Sequence, residues 1–262
     1  MKKILVTGAG TGFGKFYSLE LAKRGHIVYA AVELPSQIYP LREEADKLGV
    51  NLNVIKIDIT NPIDRKYAQT FDIDILVNNA GIGEGGAIVD MPEEVLRKQF
   101  EVNVFAPLTL TKGFLKQFTE RKSGRIIFVS SVAAFISAEF TGAYTASKHA
   151  IDNIAETLQI ELKQFGVSVS TINPAPYKTG FNDVQIEACY NWYNRDTALI
   201  NHDNLSFPMP QYDQYQDINA MVDVILDNHA NIRNVFPKEF EQQIKDLQAE
   251  AWIKTNQLGS RG

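Results

Sequence analysis

"KILVTGAGTGFGKF", Lys3 to Phe16, passes from an apolar, β-forming run through four glycines into a helical pattern. Gly8, Gly12 and Gly14 lack side chains, so the backbone there can turn sharply and approach a ligand closely. A helix that starts at such a turn points its unpaired N–H groups, and the positive end of its dipole, at whatever sits above it. Between a first strand and a first helix, this is a place for a pyrophosphate, with Gly8, Thr11, Gly12, Phe13 and Gly14 as the candidate cradle. As a bare chain reversal, so many glycines would lose backbone entropy for no packing return.

The rest of the chain has the alternation that such a turn requires. "IVYAAV" (27–32), "LNVIKI" (52–57), "IDILVN" (73–78), "RIIFVS" (125–130) and "VSVSTI" (167–172) join "KILVT" (3–7) as strands. They are nearly continuously apolar, as parallel strands covered on both faces are. Helical patterns occupy about 14–24, 37–48, 92–118 and 143–165, and resume near 216–229 and 237–252. The alternation predicts an α/β chain: a doubly wound parallel sheet with helices on both faces, a single-domain Rossmann fold over residues 1–262. From about 176 to 216 the periodicity gives way to turn formers and aromatics, among them Phe181, Tyr190, Trp192, Tyr193 and Phe207. A long irregular stretch of this kind reads as a substrate lid. The competing reading is a surface excursion that packs its own aromatics.

Composition narrows the partners. The 262 residues carry a net charge of -5, which gives no basis for nucleic acid or an anionic membrane as partner. Cys189 is the single cysteine, and His26, His149, His202 and His229 are scattered without ligand spacing, so no disulfide and no metal are expected. The apolar run Ile4 to Val6 is too short for a signal peptide, and no stretch is long enough to span a membrane. The expected location is cytoplasmic.

Two further positions point to a dinucleotide. Glu33 ends the second strand, about 20 residues beyond the glycines, where this fold meets the adenosine ribose. A carboxylate accepts from both ribose hydroxyls and repels a 2′-phosphate, which favours NAD over NADP. Asp58, with Ile59 beside it, follows the third strand and can accept from the adenine amino group. A third signal is "YTASK", Tyr144 to Lys148. On a helix these two residues lie one turn apart on one face. An isolated tyrosine, with a pKa of about 10, is a poor acid or base at neutral pH. A nearby cation favours the phenolate. No other tyrosine in the chain has lysine four residues on.

Together these motifs resemble the short-chain dehydrogenases/reductases (SDR family) over essentially the whole chain. "TGAGTGFG" resembles that family's TGxxxGxG, not the spacing of its longer, extended relatives. "NNAG" (78–81) closes the fourth strand, "EVNVFA" supplies Asn103, and "FVSSVAAF" supplies Ser131, thirteen residues before Tyr144. "NPAPYKTGF" (173–181) is similar to the family's NPG segment. The resemblance implies an oxidoreductase that moves a hydride between a nicotinamide cofactor and an alcohol or carbonyl. Tyr144 would be the general acid/base and Ser131 a hydrogen-bond donor to the same substrate oxygen. Lys148 would hold the nicotinamide ribose, and Asn103 would anchor a water chain. It also implies that the backbone of Asn79, Ala80 and Gly81, together with Pro174 and Thr179, lines the cofactor site. Asn78 and Ser130 are read as structural. Pairing of the helices at 92–118 and 143–165, with Ala150 allowing close approach, would give a homodimer or homotetramer.

The departures matter as much. Ala175 replaces the glycine of NPG, where a methyl would crowd the nicotinamide or change the turn. Val32 stands where many NAD-preferring members have Asp, so Glu33 is a shifted carboxylate. The connection from Asp58 to the fourth strand is short, and its helix is expected to shrink to a turn or so. Phe181, Tyr190 and Trp192 are the candidate substrate wall, which favours an apolar alcohol or carbonyl compound. A non-catalytic NAD(P)-binding redox sensor is the alternative, disfavoured by the complete set Asn103, Ser131, Tyr144 and Lys148. An epimerase or dehydratase on the same fold is disfavoured by the glycine spacing.

Overall fold

The computed structural model describes residues 1–203, 205–207 and 209–255. Among them, seven strands form one parallel sheet: β1 (Lys3–Thr7), β2 (Ile27–Val32), β3 (Asn53–Lys56), β4 (Ile75–Asn78), β5 (Gly124–Val129), β6 (Val167–Pro174) and β7 (Arg233–Phe236). Their spatial order is β3-β2-β1-β4-β5-β6-β7. The apolar runs are continuous because both faces are covered. Ile4, Val6, Val28 and Val77 enter one core with Tyr17, Leu21 and Met221. Leu5, Ala31 and Leu76 enter the other, with Leu110, Phe114 and Ile151.

The helices are α1 (Gly12–Lys23), α2 (Ile38–Lys47), α3 (Pro62–Ala68), α4 (Glu93–Phe100), α5 (Ala106–Glu120), α6 (Gly142–Leu162), α7 (Phe181–Ala188), α8 (Ile218–Leu226) and α9 (Phe240–Ile253). Two differ from the sequence reading. The segment expected as one helix over 92–118 is broken by a wide π turn, Glu101–Phe105, which carries Asn103. The short connection after β3 holds more than a turn: α3 has seven residues, started by Pro62 and capped by the Asn61 side chain on the Ile63 and Asp64 amides. A good cap and a proline at the first position let so short a helix form.

β7 has no counterpart among the strands read from sequence. Its four residues, "RNVF", include a charge and an amide, and they pair along β6 from Thr171 to Pro174. Asn234 is buried and donates to the Thr171 carbonyl, so a polar residue is satisfied inside the sheet. Periodicity cannot find such a strand. Among the described residues, no helix is long and apolar enough to cross a membrane.

The strand order reverses between β1 and β4, and there the carboxyl ends open a crevice, as in other doubly wound sheets. The segment over 176–216 closes one side of it. Its two ends are stitched together: Lys178 N–H donates to the Tyr212 carbonyl, and Tyr212 N–H to the Pro176 carbonyl. Its middle is clamped to the loop after β4. Asp90 accepts from the Leu199 and Ile200 amides, and His202 Nε2 accepts from the Ala87 amide.

Candidate active site

The crevice is a cleft of ≈ 1270 Å³. Its floor is the glycine turn. Thr7 ties that turn to β4, because its Oγ1 accepts from the Asn79 and Ala80 amides at 3.0 and 3.1 Å. Asn79 returns the contact, donating from Nδ2 to the carbonyls of Thr7 and Gly8. The approach leaves no room for side chains: a Cβ on Gly8 would lie 2.7 Å from Ala80 Cα. Gly12 has φ +51°, the left-handed region that favours glycine, and faces Thr179 across the cleft. Helix α1 opens there with Thr11 at its N-cap, no side chain capping it and no acidic residue in its first turn. Its free N–H groups and dipole therefore remain available to an anion, and a pyrophosphate fits this cradle.

Beyond the glycine turn, at the ends of β2 and β3, Glu33, Asp58 and Ile59 line the cleft. Asp58 Oδ1 is occupied by the amide and hydroxyl of Thr60. Gln37 also reaches this end. Its Oε1 accepts from Leu34 N–H at 3.0 Å, and its side chain lies over Gly10.

At the other end the structure brings Ser131, Tyr144 and Lys148 together on the lining, with Ala80, Gly81, Pro174 and Thr179. Lys148 is one helical turn from Tyr144, its ammonium 5.6 Å from the ring centroid, and it donates to the Val129 carbonyl at 2.9 Å. Burial pulls the Lys148 ammonium down to about 8, and Asp152 acts against that. Burial also pushes the Tyr144 phenol up to about 12, opposed by its hydrogen bond with Ser131. Desolvation is thus the dominant influence on the phenol. Ser131 begins a short turn, accepting from the Ala133 amide while donating towards the Pro174 carbonyl.

Asn103 stands behind this wall. Its Oδ1 accepts from Ile82 N–H at 2.9 Å, and its Nδ2 donates to the Ile82 carbonyl and to Ser147 Oγ, both at 3.0 Å. The side chain is engaged with protein on both its polar atoms, and its backbone belongs to the π turn Glu101–Phe105. Such turns widen the helix and shift its carbonyls. Gln99, one turn earlier on the same face, accepts from the Glu84 amide and donates to the Ile82 carbonyl. The pair fixes the loop over 81–84. Asn78 donates to Thr111 Oγ1, and Ser130 is buried beside the Lys148 carbonyl, in line with structural roles.

The candidate substrate wall divides. Phe181 lines the cleft, its ring 5.6 Å from that of Tyr144, and Phe207 lines it too. Tyr190 and Trp192 do not. Tyr190 is more than half exposed, whereas Trp192 and Tyr193 pack around His202 with Phe140. These aromatics follow the competing reading of self-packing. The lining near the lid comes instead from Val184, Gln185, Ala188 and Asn191. Ala175 is buried with its amide bound to the Phe236 carbonyl, so the residue in place of glycine extends the β6–β7 pairing.

Sequence reasoning missed Asp152, Gln99, Glu84 and Gln185. Asp152 continues the Tyr144–Lys148 face by one more turn, and Gln99 precedes Asn103 by four residues, so helical spacing held both signals. Glu84 and Gln185 had none. Among the described residues, no cluster able to hold a metal ion occurs.

A family model for short chain dehydrogenases matches residues 2–189. The chain is 33% identical over 186 residues to a 3-ketodihydrosphingosine reductase of Bacteroides thetaiotaomicron, covering 69% of this chain and 65% of the relative. It is 37% identical over 186 residues to the uncharacterized oxidoreductase YusZ of Bacillus subtilis, covering 68% and 66%. The match thus spans just under two thirds of each relative's length. A short-chain dehydrogenase from Sphingobium yanoikuyae, solved with NADPH, superposes with a TM-score of 0.76 over 100% of both chains at 22% identity, a likeness of fold. The chain belongs to the short-chain dehydrogenase/reductase family.

Proposed function

We propose that this chain is an NAD(P)-dependent oxidoreductase that interconverts an alcohol and a carbonyl compound. The observation that carries the reading is the convergence of Tyr144, Lys148 and Ser131 on one end of a cleft whose other end is an open helix N-terminus over a glycine cradle. When bound, the nicotinamide supplies or receives the hydride. Ser131 and Tyr144 donate hydrogen bonds to the substrate oxygen, and in reduction Tyr144 transfers its proton there. In oxidation the phenolate takes the proton back. Lys148 favours that phenolate and holds the nicotinamide ribose hydroxyls. The backbone of Asn79 to Gly81, with Pro174 and Thr179, borders the ring.

The same reading assigns NAD over NADP to Glu33, an exposed carboxylate on the cleft lining. It assigns an apolar body to the substrate, set against Phe181, Val184 and Phe207. A ketone of the kind named for the Bacteroides relative is a first compound to screen. Association through α5 and α6 into a dimer or tetramer belongs to the reading too, and light scattering would measure it.

Tyr144→Phe tests the proposal. Turnover should fall by at least a hundredfold, within the range general acid–base catalysis supplies, while NADH binding, followed by nicotinamide fluorescence, persists. Full activity in that variant removes Tyr144 as proton donor. NADH binding with no turnover on any alcohol or carbonyl in the wild-type protein would favour a redox sensor. Tighter binding of NADPH than of NADH would overturn the Glu33 argument.

A further inference from the structure

The substrate half of the cleft holds a carboxylate that the proposed chemistry does not use. Glu84 lies on the loop fixed by Gln99 and Asn103, lines the cleft and is 8% exposed. Among the described residues its side chain has one partner, Lys98 Nζ at 3.5 Å, the outer limit of a hydrogen bond. That lysine is largely solvated, with 65% of its side chain exposed. A nearly buried carboxylate so weakly paired is costly unless something else meets it.

A second polar group stands on the same wall. Gln185 of α7 is 2% exposed, and its Nε2 has no hydrogen-bond partner among the described residues. The two are held in register. Gly85 N–H donates to the Gln185 carbonyl at 2.9 Å, and the Gln185 side chain lies so close over Gly83 that a Cβ there would come within 2.8 Å of Cγ. The surroundings favour a cation. Among the described residues, Glu33, Asp58, Glu84, Glu101 and Glu187 line the cleft, against the ammonium groups of Lys98 and Lys148.

We propose that Glu84 is a substrate-recognition residue that takes a protonated amine, with Gln185 as a neighbouring donor for an adjacent oxygen. The preferred substrate is then an amino ketone, or the matching amino alcohol, whose remainder is apolar. An ammonium supplies the donors that Glu84 lacks, and it displaces Lys98 into solvent at little cost because that side chain is already mostly there. This inference rests on the reading of the cleft as a substrate site.

The test separates binding from turnover. Calorimetric titration of the full chain with hexylamine and with hexanol at neutral pH compares a cation with its neutral counterpart. Wild type should prefer the amine, and Glu84→Gln should reduce that preference roughly 10- to 100-fold, the range for a lost charge-assisted hydrogen bond. Lys98→Met, which removes the competing cation, should strengthen amine binding. Equal binding of amine and alcohol in wild type, or a preference untouched by both substitutions, overturns the subsite. A panel of alcohols with a primary amine one to four carbons from the carbinol, each paired with its methyl analogue, then reads kcat/KM with NAD and NADP. Absence of turnover across the panel, with amine preference intact, would count against the oxidoreductase reading alone. Turnover of the methyl analogues with no gain from any amine position would overturn the subsite alone.

Discussion

Asn103 offers the sharpest energetic test, because its bonds can be counted one at a time. Asn103→Ala removes three of them, to Ile82 N–H, to the Ile82 carbonyl and to Ser147. The Ile82 carbonyl keeps a partner, since Gln99 Nε2 also donates to it at 2.8 Å. Ser147 keeps its bond to the Tyr144 carbonyl. The single orphan is the part-buried Ile82 N–H, so the loss should fall near the lower end of the range for an unmet donor, about 1–2 kcal/mol. Gln99→Ala similarly leaves the Ile82 carbonyl with Asn103, and orphans the Glu84 amide. Only the double variant strips the carbonyl of both donors. Its destabilisation should therefore exceed the sum of the singles, by about 1 kcal/mol. Urea unfolding of the four proteins at one fixed concentration measures this through the midpoint and slope. Additivity within about 0.5 kcal/mol would refute the shared tether. Loss of turnover in Asn103→Ala with unchanged stability would mean that the position serves the proton path instead.

Three other outcomes follow from the same geometry. Gly14→Ala drives a Cβ into the Asn79 amide and the Gly8 carbonyl, so thermal melting should show a loss of about 1–3 kcal/mol, accompanied by loss of NADH binding. Asp152→Ala frees the buried Asn173 amide and Arg233, bonded to it at 2.8 and 2.9 Å; because Arg233 is half exposed and keeps Glu156, the cost should be about 2–3 kcal/mol by denaturant unfolding, below that of a fully buried pair. In the proposed mechanism alcohol oxidation uses the Tyr144 phenolate, so its rate should climb with pH; Lys148→Ala removes the cation proposed to favour this form and should displace the profile to higher pH, and an unshifted profile in steady-state kinetics at saturating cofactor would contradict the role given to Lys148.

What the sequence made legible was the part of the molecule governed by short-range rules. The six strands from β1 to β6 announced themselves through short β-forming apolar runs, and the glycine cradle because it sits between a strand and a helix. β7 stayed hidden since "RNVF" satisfies its polar members only in the assembled fold: Asn234 on β6 and the loop before β7, Arg233 on α6. The candidate substrate wall divided for another reason. Aromatic content alone cannot tell which rings face a cleft. Trp192 and Tyr193 turned inward around His202, whose Nδ1 bonds the Ile200 carbonyl while Nε2 takes the Ala87 amide, a packing decided by residues more than a hundred positions apart. The pattern Tyr144, Lys148, Asp152 was visible at i, i+4 and i+8, yet the meaning of its third member depends on Asn173 and Arg233 from two other strands.

In the proposed mechanism, that third member bears on the proton at Tyr144. Burial acts on both groups of the pair in the direction of neutrality: up to about 12 for the phenol and down to about 8 for the ammonium. Left to desolvation alone, Lys148 would lose its charge as the pH rises towards the range where alcohol oxidation is favoured. The charge of Tyr144 would then lose its support. Asp152 opposes this, raising the Lys148 pKa from one turn further along α6. Its own carboxylate accepts from the Asn173 amide and the Arg233 guanidinium. The same Asn173 amide donates to the Ser131 carbonyl at 3.3 Å. A single buried carboxylate therefore joins Lys148 to the hydrogen bonds that hold the Ser131 backbone, and in the proposed mechanism Arg233 of β7 supports the site through it.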